Sequence, residues 1–599
     1  MSSEGASWAQ RGAIAISAGD LATARRCFRS AVKRDNRNAR LRFQLALIHQ
    51  ALGELTLAAE QYTVALRFDA TMQSAALRLC ESFAQGVLKI KPDLDELGLV
   101  AALAFQSIDR DLLCAAAMHY LASTHPLCQI LEQGRRDGWD SIARNLCLAR
   151  THDFLKNPLF LELLRKGIVC SRDIECLLIG IRRILLLELP PARLQDDALC
   201  RFMTALLCQL WNNEFVWLES DEERRQLAAV EIAPDELRAG NADACSRLFL
   251  KCLYRPARSQ IEDVSIDQLG AIVPAVFQQA LIERIAEETE IRERGERVPV
   301  VSEMSDDISR LVAGQYDVSP YPRWTSVPIF PNSGYIDHIR PHFKHGQLAF
   351  AQHPFEVLIA GCGTGRQAVS AALDYGRNAH VVGIDIARSS LGYASLMAER
   401  MGVQNVTLAR GDLNAILDFE PTFIKRFQIV ECTGVLHHMA NPFAAWQRLI
   451  TCLAPGGIML IGLYSSTARL HLQTLKREAD YPGADVDVDA LRAYRHRMFS
   501  RSGQWQGEGF LRSRDAFSTS GFRDFFLHVN EHTTDLIEIK AFLAENGLEF
   551  RGFVGPPIEA LRQTKTDAAA PGDLADWAEW ERQHPSAFTG MYQFWCTRT

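Results

Sequence analysis

The sequence predicts two fold classes in one chain, an all-α N-terminal half followed by an α/β C-terminal half. A helical repeat with a period of thirty-four residues occupies the N-terminus, and helical periodicity continues to about residue 288. From Phe355 onward, short β-rich segments alternate with helical ones. Because such alternation produces parallel strands joined by helices, we expect an open, mostly parallel sheet in the C-terminal half.

Length and composition indicate a multi-domain globular protein. Its 599 residues are too many for a single hydrophobic core, and nearly half of them are hydrophobic. A net charge of −7 does not indicate the basic surface that nucleic-acid binding needs, so we expect no nucleic-acid partner. Fifteen cysteines without a CxxC pair favour reduced thiols over disulfides or structural zinc. Residues 1–8 lack a secretory pattern and no apolar segment has membrane length, so a cytoplasmic protein that does not bind membranes is expected.

The N-terminal repeat has five corresponding positions. These are Gly19 and Gly53, Ala24 and Ala58, Phe28 and Tyr62, Ala31 and Ala65, and Asp35 and Asp69. The period and pattern resemble tetratricopeptide repeats, with Gln73–Gln85 as a capping helix. The resemblance implies binding of a peptide or protein. Support of the fold, or formation of a homodimer, is the alternative.

We expect four regions along the chain: repeats at 1–85, a helical domain at 86–290, a linker and possible lid at 291–345, and the α/β domain at 346–599. The charged stretch Glu287–Arg297 looks like the start of the linker. The helical domain contains no catalytic constellation. Its unusual run Asn212–Trp217 is either a substrate-contacting ridge or a helix end that satisfies its own backbone groups.

A glycine loop is the most informative motif of the C-terminal half. Gly361-Cys362-Gly363-Thr364-Gly365 follows the apolar strand Phe355–Ala360 and precedes a helix at Arg366–Asp374. Glycines let a backbone approach a cofactor closely, and a helix N-terminus directs N–H groups at it. Such a loop alone also suits dinucleotide-binding folds.

Four further features follow the loop in order. They are Asp385 at the end of a second strand, Gly411-Asp412-Leu413 after a third, Thr433 to His438 after a fourth (Phe427–Cys432), and Pro455-Gly456-Gly457 before a fifth (Ile458–Leu463). Together they resemble the class I S-adenosylmethionine (SAM)-dependent methyltransferases, over about Phe355 to Arg598. The resemblance implies a Rossmann-like seven-stranded sheet, mostly parallel, and a SAM cofactor that leaves as S-adenosylhomocysteine.

The resemblance also implies roles for individual residues. The loop residues 361–365 lie along the amino-acid and ribose portion of SAM, Asp385 and Ile386 meet the ribose, and Asp412 and Leu413 meet the adenine. Glu431, Cys432 and Thr433 face the sulfonium. Many relatives carry an acid two residues before the first glycine, where this chain has Ile359. Another nucleotide binder, or a domain without catalysis, is the alternative.

Histidines at the end of the fourth strand are the candidate bases. His437, favoured over His438, has a side chain suited to proton transfer near neutrality, although both could merely shape the SAM pocket. Tyr464 and Arg469, beyond the fifth strand, could act in catalysis or bind an acidic or carbonyl group. They could also simply cap the domain.

Two segments are candidate covers for the acceptor. Gln315–Trp324, with Tyr316, Tyr321 and Arg323, is expected to be stiff and extended, either as a lid or as an interdomain strap. The insertion at about 465–530 is the expected specificity element. After it, the run His528 to His532 has H-x-x-E-H spacing and is expected to open a helix, Thr533–Asn546. We favour a substrate-lining role for His528 and His532 over a zinc site.

The sequence thus predicts a SAM-dependent methyltransferase whose leading substrate class is a peptide or protein, because repeats of this kind usually bind proteins. A small-molecule methyltransferase is the first alternative. A scaffold whose transferase-like domain senses SAM, or binds none, is the second.

Overall fold

A computed structural model describes residues 3–86, 93–124, 126–148, 153–188, 197–261, 275–328, 334–419, 422–501, 508–554 and 573–598. The chain divides into two compact units. One comprises residues 1–286 with 325–328, and the other comprises 287–324 with 329–599. Parts of the predicted lid (329–333) and of the predicted insertion (502–507) lie outside the described residues.

The first unit is built from helices throughout its described residues. In chain order they are α1 (Ser3–Ser17), α2 (Leu21–Arg34), α3 (Ala39–Ala51), α4 (Leu55–Phe68), α5 (Gln73–Ala84), α6 (Glu96–Ala102), α7 (Arg110–Ser123), α8 (Leu127–Asp137), α9 (Trp139–Leu148), α10 (Pro158–Lys166), α11 (Arg172–Leu187), α12 (Asp197–Asn212), α13 (Asp221–Ala229), α14 (Pro234–Arg238) and α15 (Ala242–Cys252), with α16 (Ala275–Arg297) continuing into the second unit.

The thirty-four-residue repeat corresponds to two helical hairpins, α1–α2 and α3–α4. Ala24 and Ala58 are fully buried, as expected where paired helices approach closely. Gly19 and Gly53 adopt positive φ angles of 76° and 74° at equivalent turns. The all-α prediction is confirmed for this unit, and the identification of the hairpins as tetratricopeptide repeats stays a prediction.

Two segments of this half differ in local structure from what their composition suggests. The charged stretch expected as the start of the linker is helical, because it forms the end of α16, where Arg294 pairs with Glu290 one turn away. The boundary between the two units falls at its beginning, between residues 286 and 287. Helical periodicity is expected throughout this region, but helix α12 ends at Asn212, the first residue of the unusual run Asn212–Trp217. Its C-terminal turn contains Phe215 at a positive φ of 56°, and Asn213 Oδ1 accepts a hydrogen bond from the Phe215 N–H at 3.0 Å. These contacts favour the helix-end interpretation of the Asn212–Trp217 run.

The second unit contains a seven-stranded sheet. Its strands are β1 (Phe355–Ala360), β2 (Ala379–Asp385), β3 (Val406–Arg410), β4 (Phe427–Cys432), β5 (Leu453–Leu463), β6 (Leu548–Phe553) and β7 (Tyr592–Arg598). The spatial order is β3-β2-β1-β4-β5-β7-β6. Strands β1 to β5 pair in parallel, whereas β7 runs antiparallel to β5 and β6. The predicted Rossmann-like sheet is therefore confirmed.

Helices accompany these strands. They are α17 (Asp307–Val318), α18 (Gly334–Ile339), α19 (Arg366–Asp374), α20 (Arg388–Arg400), α21 (Pro442–Cys452), α22 (Leu470–Leu475), α23 (Val488–Ser500), α24 (Thr519–Phe526), α25 (Leu536–Glu545) and α26 (Leu574–Gln583).

Alternating residues of the strands point to opposite faces of the sheet and contribute to two hydrophobic cores, one on each face. Leu358 and Val430 join the core formed with α21 and α25, and Val357 and Ile429 join the core formed with α19. The carboxyl ends of β1, β2 and β4 consequently meet at one edge, where the glycine loop, Asp385 and the histidine pair emerge.

Three predicted boundaries in this unit are wrong. The segment expected to be extended from Gln315 is helical as far as Val318, because the chain-breaking Pro320 comes only after it. Strand β5 begins at Leu453 and includes the Pro-Gly-Gly turn. The run His528 to His532 does not open a helix, because Asp535 caps the helix that begins at Leu536.

Candidate active site

The glycine loop is held in a conformation that only glycine accepts readily. Gly361 and Gly365 have positive φ angles of 76° and 83°. A Cβ atom on Gly361 would lie 2.3 Å from the side chain of Val435, and one on Gly365 would lie 2.5 Å from Ala394. These glycines are therefore required both for the turn and for the close packing of the histidine-bearing turn and of α20 against the loop.

Asp385 joins the glycine loop to the end of β2. Its Oδ2 accepts a hydrogen bond from the Gly363 N–H at 2.7 Å, and its Oδ1 accepts one from the Ala387 N–H at 2.9 Å. Burial raises the pKa of this carboxyl. Each carboxylate oxygen can accept a second hydrogen bond, so the pair fits the two hydroxyls of a ribose.

Asp412, the predicted adenine contact, is hydrogen-bonded to two serines that the sequence analysis did not identify. Asp412 Oδ2 accepts hydrogen bonds from the N–H and the hydroxyl of Ser305, at 2.8 and 2.6 Å. The Asp412 N–H donates to the Ser302 hydroxyl at 2.8 Å. The segment before α17 thus runs beside the end of β3, with Val300 bridged to Arg410. The polar segment that contains Ser302 and Ser305 does not alternate between apolar and polar residues as a strand would. The sequence therefore did not predict that it lies beside β3.

Glu431, predicted to face the sulfonium, is a buried carboxylate bound by two side chains. It accepts hydrogen bonds from Gln367 Nε2 at 2.6 Å and from the Tyr375 hydroxyl. Strand register places Glu431 beside Ile359, the position where the family resemblance led us to expect an acid. A carboxylate absent from β1 is therefore present on the adjacent strand β4.

The Tyr321–Trp324 segment lies directly over the glycine loop. The indole N–H of Trp324 donates to the Thr364 carbonyl at 3.0 Å, and the Thr364 hydroxyl donates to the Pro322 carbonyl. A Cβ atom on Gly363 would lie 3.1 Å from the Tyr321 carbonyl. These contacts cover that side of the loop, and the lid role of the segment stays a prediction. Arg323, predicted to contact substrate, is paired with Glu287 at 3.0 Å.

Beside the loop lies a set of buried and half-buried polar side chains that we call the acceptor cluster. Its members come from the lid segment, the turn after β4, the start of the insertion and the region around α24: Tyr316, Tyr321, His437, His438, Tyr464, Arg469, Asp515, Asp524, His528 and Glu531. Val435 connects the two regions, because it packs on Gly361 and immediately precedes the turn that carries the histidines.

Stacked rings organise one side of the acceptor cluster. The His437 ring stacks on the Tyr464 ring with centroids 3.5 Å apart. The Arg469 guanidinium carbon lies 3.2 Å from the centroid of the Tyr464 ring. Arg469 Nη1 donates to Glu531 at 3.0 Å, whereas its Nε and Nη2 have no partner among the described residues. Neither ring nitrogen of His437 has one in that part of the chain. These buried donors and acceptors are free for a ligand.

Hydrogen bonds define the state of the other two histidines. His438 Nδ1 lies 2.9 Å from the Asn530 carbonyl, so the proton sits on Nδ1 and Nε2 keeps its lone pair. His528 Nδ1 accepts from the Asn530 N–H at 3.0 Å, so the proton of its neutral ring sits on Nε2. Burial lowers the pKa of His438 well below its usual value and that of His528 to about 3.

The predicted substrate residues separate into two groups. Tyr316, Tyr321, Arg469 and His528 belong to the acceptor cluster. His532 is exposed, and its backbone N–H donates to the His437 carbonyl at 2.7 Å. Asp515 and Asp524 carry no motif and lie within the insertion, so only the folded chain reveals them.

Comparisons with known proteins agree with this geometry. Residues 355–503 match a family described as "Methyltransferase domain". An uncharacterized protein of Synechococcus sp. is 26% identical over 277 residues, which cover 42% of this chain and 61% of that protein. The ubiquinone biosynthesis O-methyltransferase of Chromobacterium violaceum is 32% identical over 117 residues, covering 20% of this chain and 47% of that enzyme.

The chain spans about half the length of the curated relatives it matches. Among solved structures, PKMT2 from Rickettsia typhi in complex with AdoHcy gives a TM-score of 0.31 at 16% identity, covering 47% of this chain and 55% of that one. In the part of the chain that the structure describes, no helix combines the length and the apolar character needed to cross a membrane. The C-terminal half of the chain contains a class I SAM-dependent methyltransferase domain.

Proposed function

We propose that the whole protein is a SAM-dependent methyltransferase that modifies a peptide or protein. The observation that carries methyl transfer is the direct contact between a cofactor-type glycine loop and a buried acceptor cluster, made through Val435 on Gly361. A site that only bound SAM would not need a second set of polar side chains at that edge of the sheet.

Bound SAM supplies a methyl group already activated by its sulfonium. The loop N–H groups and Asp385 would hold its amino-acid and ribose portions, with Asp412 and Leu413 at the adenine. The chain's main task is then to align acceptor and methyl and to exclude water, and positioning of this kind contributes about 7–11 kcal/mol. Trp324, which is 2% exposed, closes the loop from solvent.

The acceptor cluster also offers a proton acceptor. His438 is fixed by its Nδ1–H bond to the Asn530 carbonyl, so its Nε2 can accept a proton. The side edge of Arg469, formed by Nε and Nη2, can donate two parallel hydrogen bonds to an acceptor carbonyl or carboxylate. A peptide offers both a carbonyl and a side-chain nucleophile, and the two N-terminal hairpins supply a surface of the kind that binds peptides.

A small-molecule acceptor is the second candidate. It is favoured by the similarity to ubiquinone biosynthesis O-methyltransferases over residues of this domain and by the burial of the acceptor cluster. Incubating the full chain with cell extract and tritiated SAM, then separating products by size, discriminates the two. Label in macromolecules supports the proposal, and label only in small molecules supports the alternative. Saturable SAM binding with no labelled product would indicate a SAM sensor.

A further inference from the structure

The carboxylates of the acceptor cluster are unequally paired. Glu531 is matched by Arg469 at 3.0 Å and by Lys476 at 3.6 Å. Asp524 is 4% exposed and has no cationic partner among the described residues. Its hydrogen-bond donor is the Tyr316 hydroxyl at 2.5 Å. A buried carboxylate without a cation is costly, so Asp524 is a position where a positive ligand group would be strongly favoured.

No histidine of the cluster supplies the missing positive charge. Burial lowers the pKa values of His437 and His438 well below their usual range, and that of His528 to about 3. All three rings are therefore neutral near pH 7. Burial also raises the pKa of Asp524 to about 7, and the nearby charge of Arg469, which acts in the opposite direction, does not offset it.

The polar atoms of His438, Asp524 and His528 lie within 4.8 Å of one another, a spacing that a metal ion could also use. Hydrogen bonding argues against a metal ion. Because His528 Nδ1 accepts the Asn530 N–H, Nε2 bears the proton and faces the Tyr316 oxygen at 3.2 Å. A protonated nitrogen has no lone pair for a metal. The chain of donors instead runs from His528 through Tyr316 to the Asp524 carboxylate.

Aromatic side chains lie near the same carboxylate, since a ligand oxygen of Asp524 lies within 4.8 Å of a ring nitrogen of His438 and of His528. The rings of Tyr316 and His528 lie 5.7 Å apart, and His438 stacks on His528 with centroids 3.5 Å apart. Tyr464 meets His438 edge-on at 5.8 Å. A carboxylate bordered by aromatic rings is a favourable environment for an alkylammonium ion, which gains both an ion pair and cation–π contact.

We propose that the methyl acceptor is an amine whose ammonium form pairs with Asp524, an inference that rests on the proposed methyltransferase function. The ammonium gives one proton to the Asp524 carboxylate and becomes a neutral amine. The nitrogen lone pair then forms the N–C bond to the methyl group, while the S–C bond breaks and its electron pair stays on sulfur. The products are a methylated ammonium and S-adenosylhomocysteine, and the proton on Asp524 returns to solvent.

The first test measures binding to the full chain saturated with S-adenosylhomocysteine. n-Butylammonium, n-butanol and butyrate are titrated in turn, and n-butylammonium is expected to bind most tightly. Asp524→Asn keeps the shape of the side chain and should weaken n-butylammonium binding at least about tenfold while leaving S-adenosylhomocysteine affinity unchanged. Asp515→Asn is the matched control. Asp515 is only partly buried and is influenced by Arg514, so its effect should be smaller.

Three binding results would overturn the amine assignment: n-butylammonium binding no tighter than n-butanol, unchanged binding in Asp524→Asn, or Zn²⁺ binding that requires His438 and His528. Failure of the unmodified chain to bind S-adenosylhomocysteine would instead overturn the proposed function itself.

A methyl-transfer assay with tritiated SAM distinguishes the two possible sources of the amine, a protein side chain and a small molecule. Label on poly-L-lysine alone indicates a lysine side chain of a protein, and label on n-butylamine alone indicates a small amine. Either result supports the amine assignment. Label on catechol with none on either amine contradicts it.

Discussion

The cofactor side and the acceptor side of the site meet at Val435 but are built in different ways. The cofactor side consists of strand ends and one contiguous loop, and its contacts are mostly made by backbone groups such as the Gly363 N–H on Asp385. The acceptor side consists of side chains from four separate segments, joined by hydrogen bonds such as that of Tyr316 to Asp524. The first depends on local backbone conformation, whereas the second depends on the whole domain being folded.

The comparison predicts that one carboxylate dominates the cofactor side. Asp385→Ala removes the acceptor of the ribose hydroxyls and also frees the Gly363 N–H. SAM affinity measured by calorimetry should fall at least about 100-fold, because hydrogen bonds to a charged group contribute about 1.5–3 kcal/mol each. Asp337→Ala, an exposed acid of the same unit paired with Arg340, is the control and should bind SAM normally. Equal affinities in the two variants would remove Asp385 from the site.

Substitution of two glycines tests how strongly the cofactor side depends on backbone conformation. Gly365→Ala forces a Cβ atom to within 2.5 Å of Ala394, in addition to a positive φ of 83°. We expect the free energy of unfolding to fall by about 2–5 kcal/mol. Gly376→Ala has a similar φ of 76° but nothing within 4 Å of the new Cβ, so it should cost only about 1–2 kcal/mol. Chemical denaturation of both variants gives the two values, and equal losses would show that packing against α20 is unimportant.

This difference in construction explains what the sequence could predict. The parallel sheet, the glycine loop and Asp385 were predictable because each lies within a short motif whose strand–turn–helix context is visible in the chain. Asp515 and Asp524 could not be predicted, because their function comes from tyrosines about two hundred residues away. The tautomer of His438 was equally inaccessible, since the Asn530 carbonyl that fixes it belongs to another segment.

Some differences from expectation had local causes. The charged end of α16 has the composition of a linker, but its i,i+4 ion pairs stabilise a helix. The helix expected from Thr533 begins only at Leu536, after both His528 and His532, so their H-x-x-E-H spacing does not place them on one helix face. His528 is buried and His532 is exposed, so the two side chains have different environments.

On the acceptor side, Asp524 should make stability depend on pH. The folded pKa of Asp524, about 7, lies above its unfolded value, so the folded state binds more protons between the two values and loses stability as pH rises. Asp524→Asn removes this titration. The free energy of unfolding of the variant, relative to that of the unmodified chain, should therefore be about 2–3 kcal/mol larger at pH 8 than at pH 5. A pH-independent difference would contradict the raised pKa.

The smallest expected effect distinguishes two tyrosines of the lid segment. Tyr316→Phe leaves the buried Asp524 without its donor, and Tyr321→Phe removes the 2.9 Å hydrogen bond to the partly buried Asp515. Because an unsatisfied buried group costs more than one that water can reach, Tyr316→Phe should lower the free energy of unfolding at pH 8 by about 1 kcal/mol more than Tyr321→Phe. Each change removes only a side-chain hydroxyl and leaves the Tyr321 carbonyl beside Gly363 in place, so SAM affinity should stay within about twofold of the unmodified chain. If Tyr321→Phe were the more damaging variant, Asp515 rather than Asp524 would be the central carboxylate of the acceptor side.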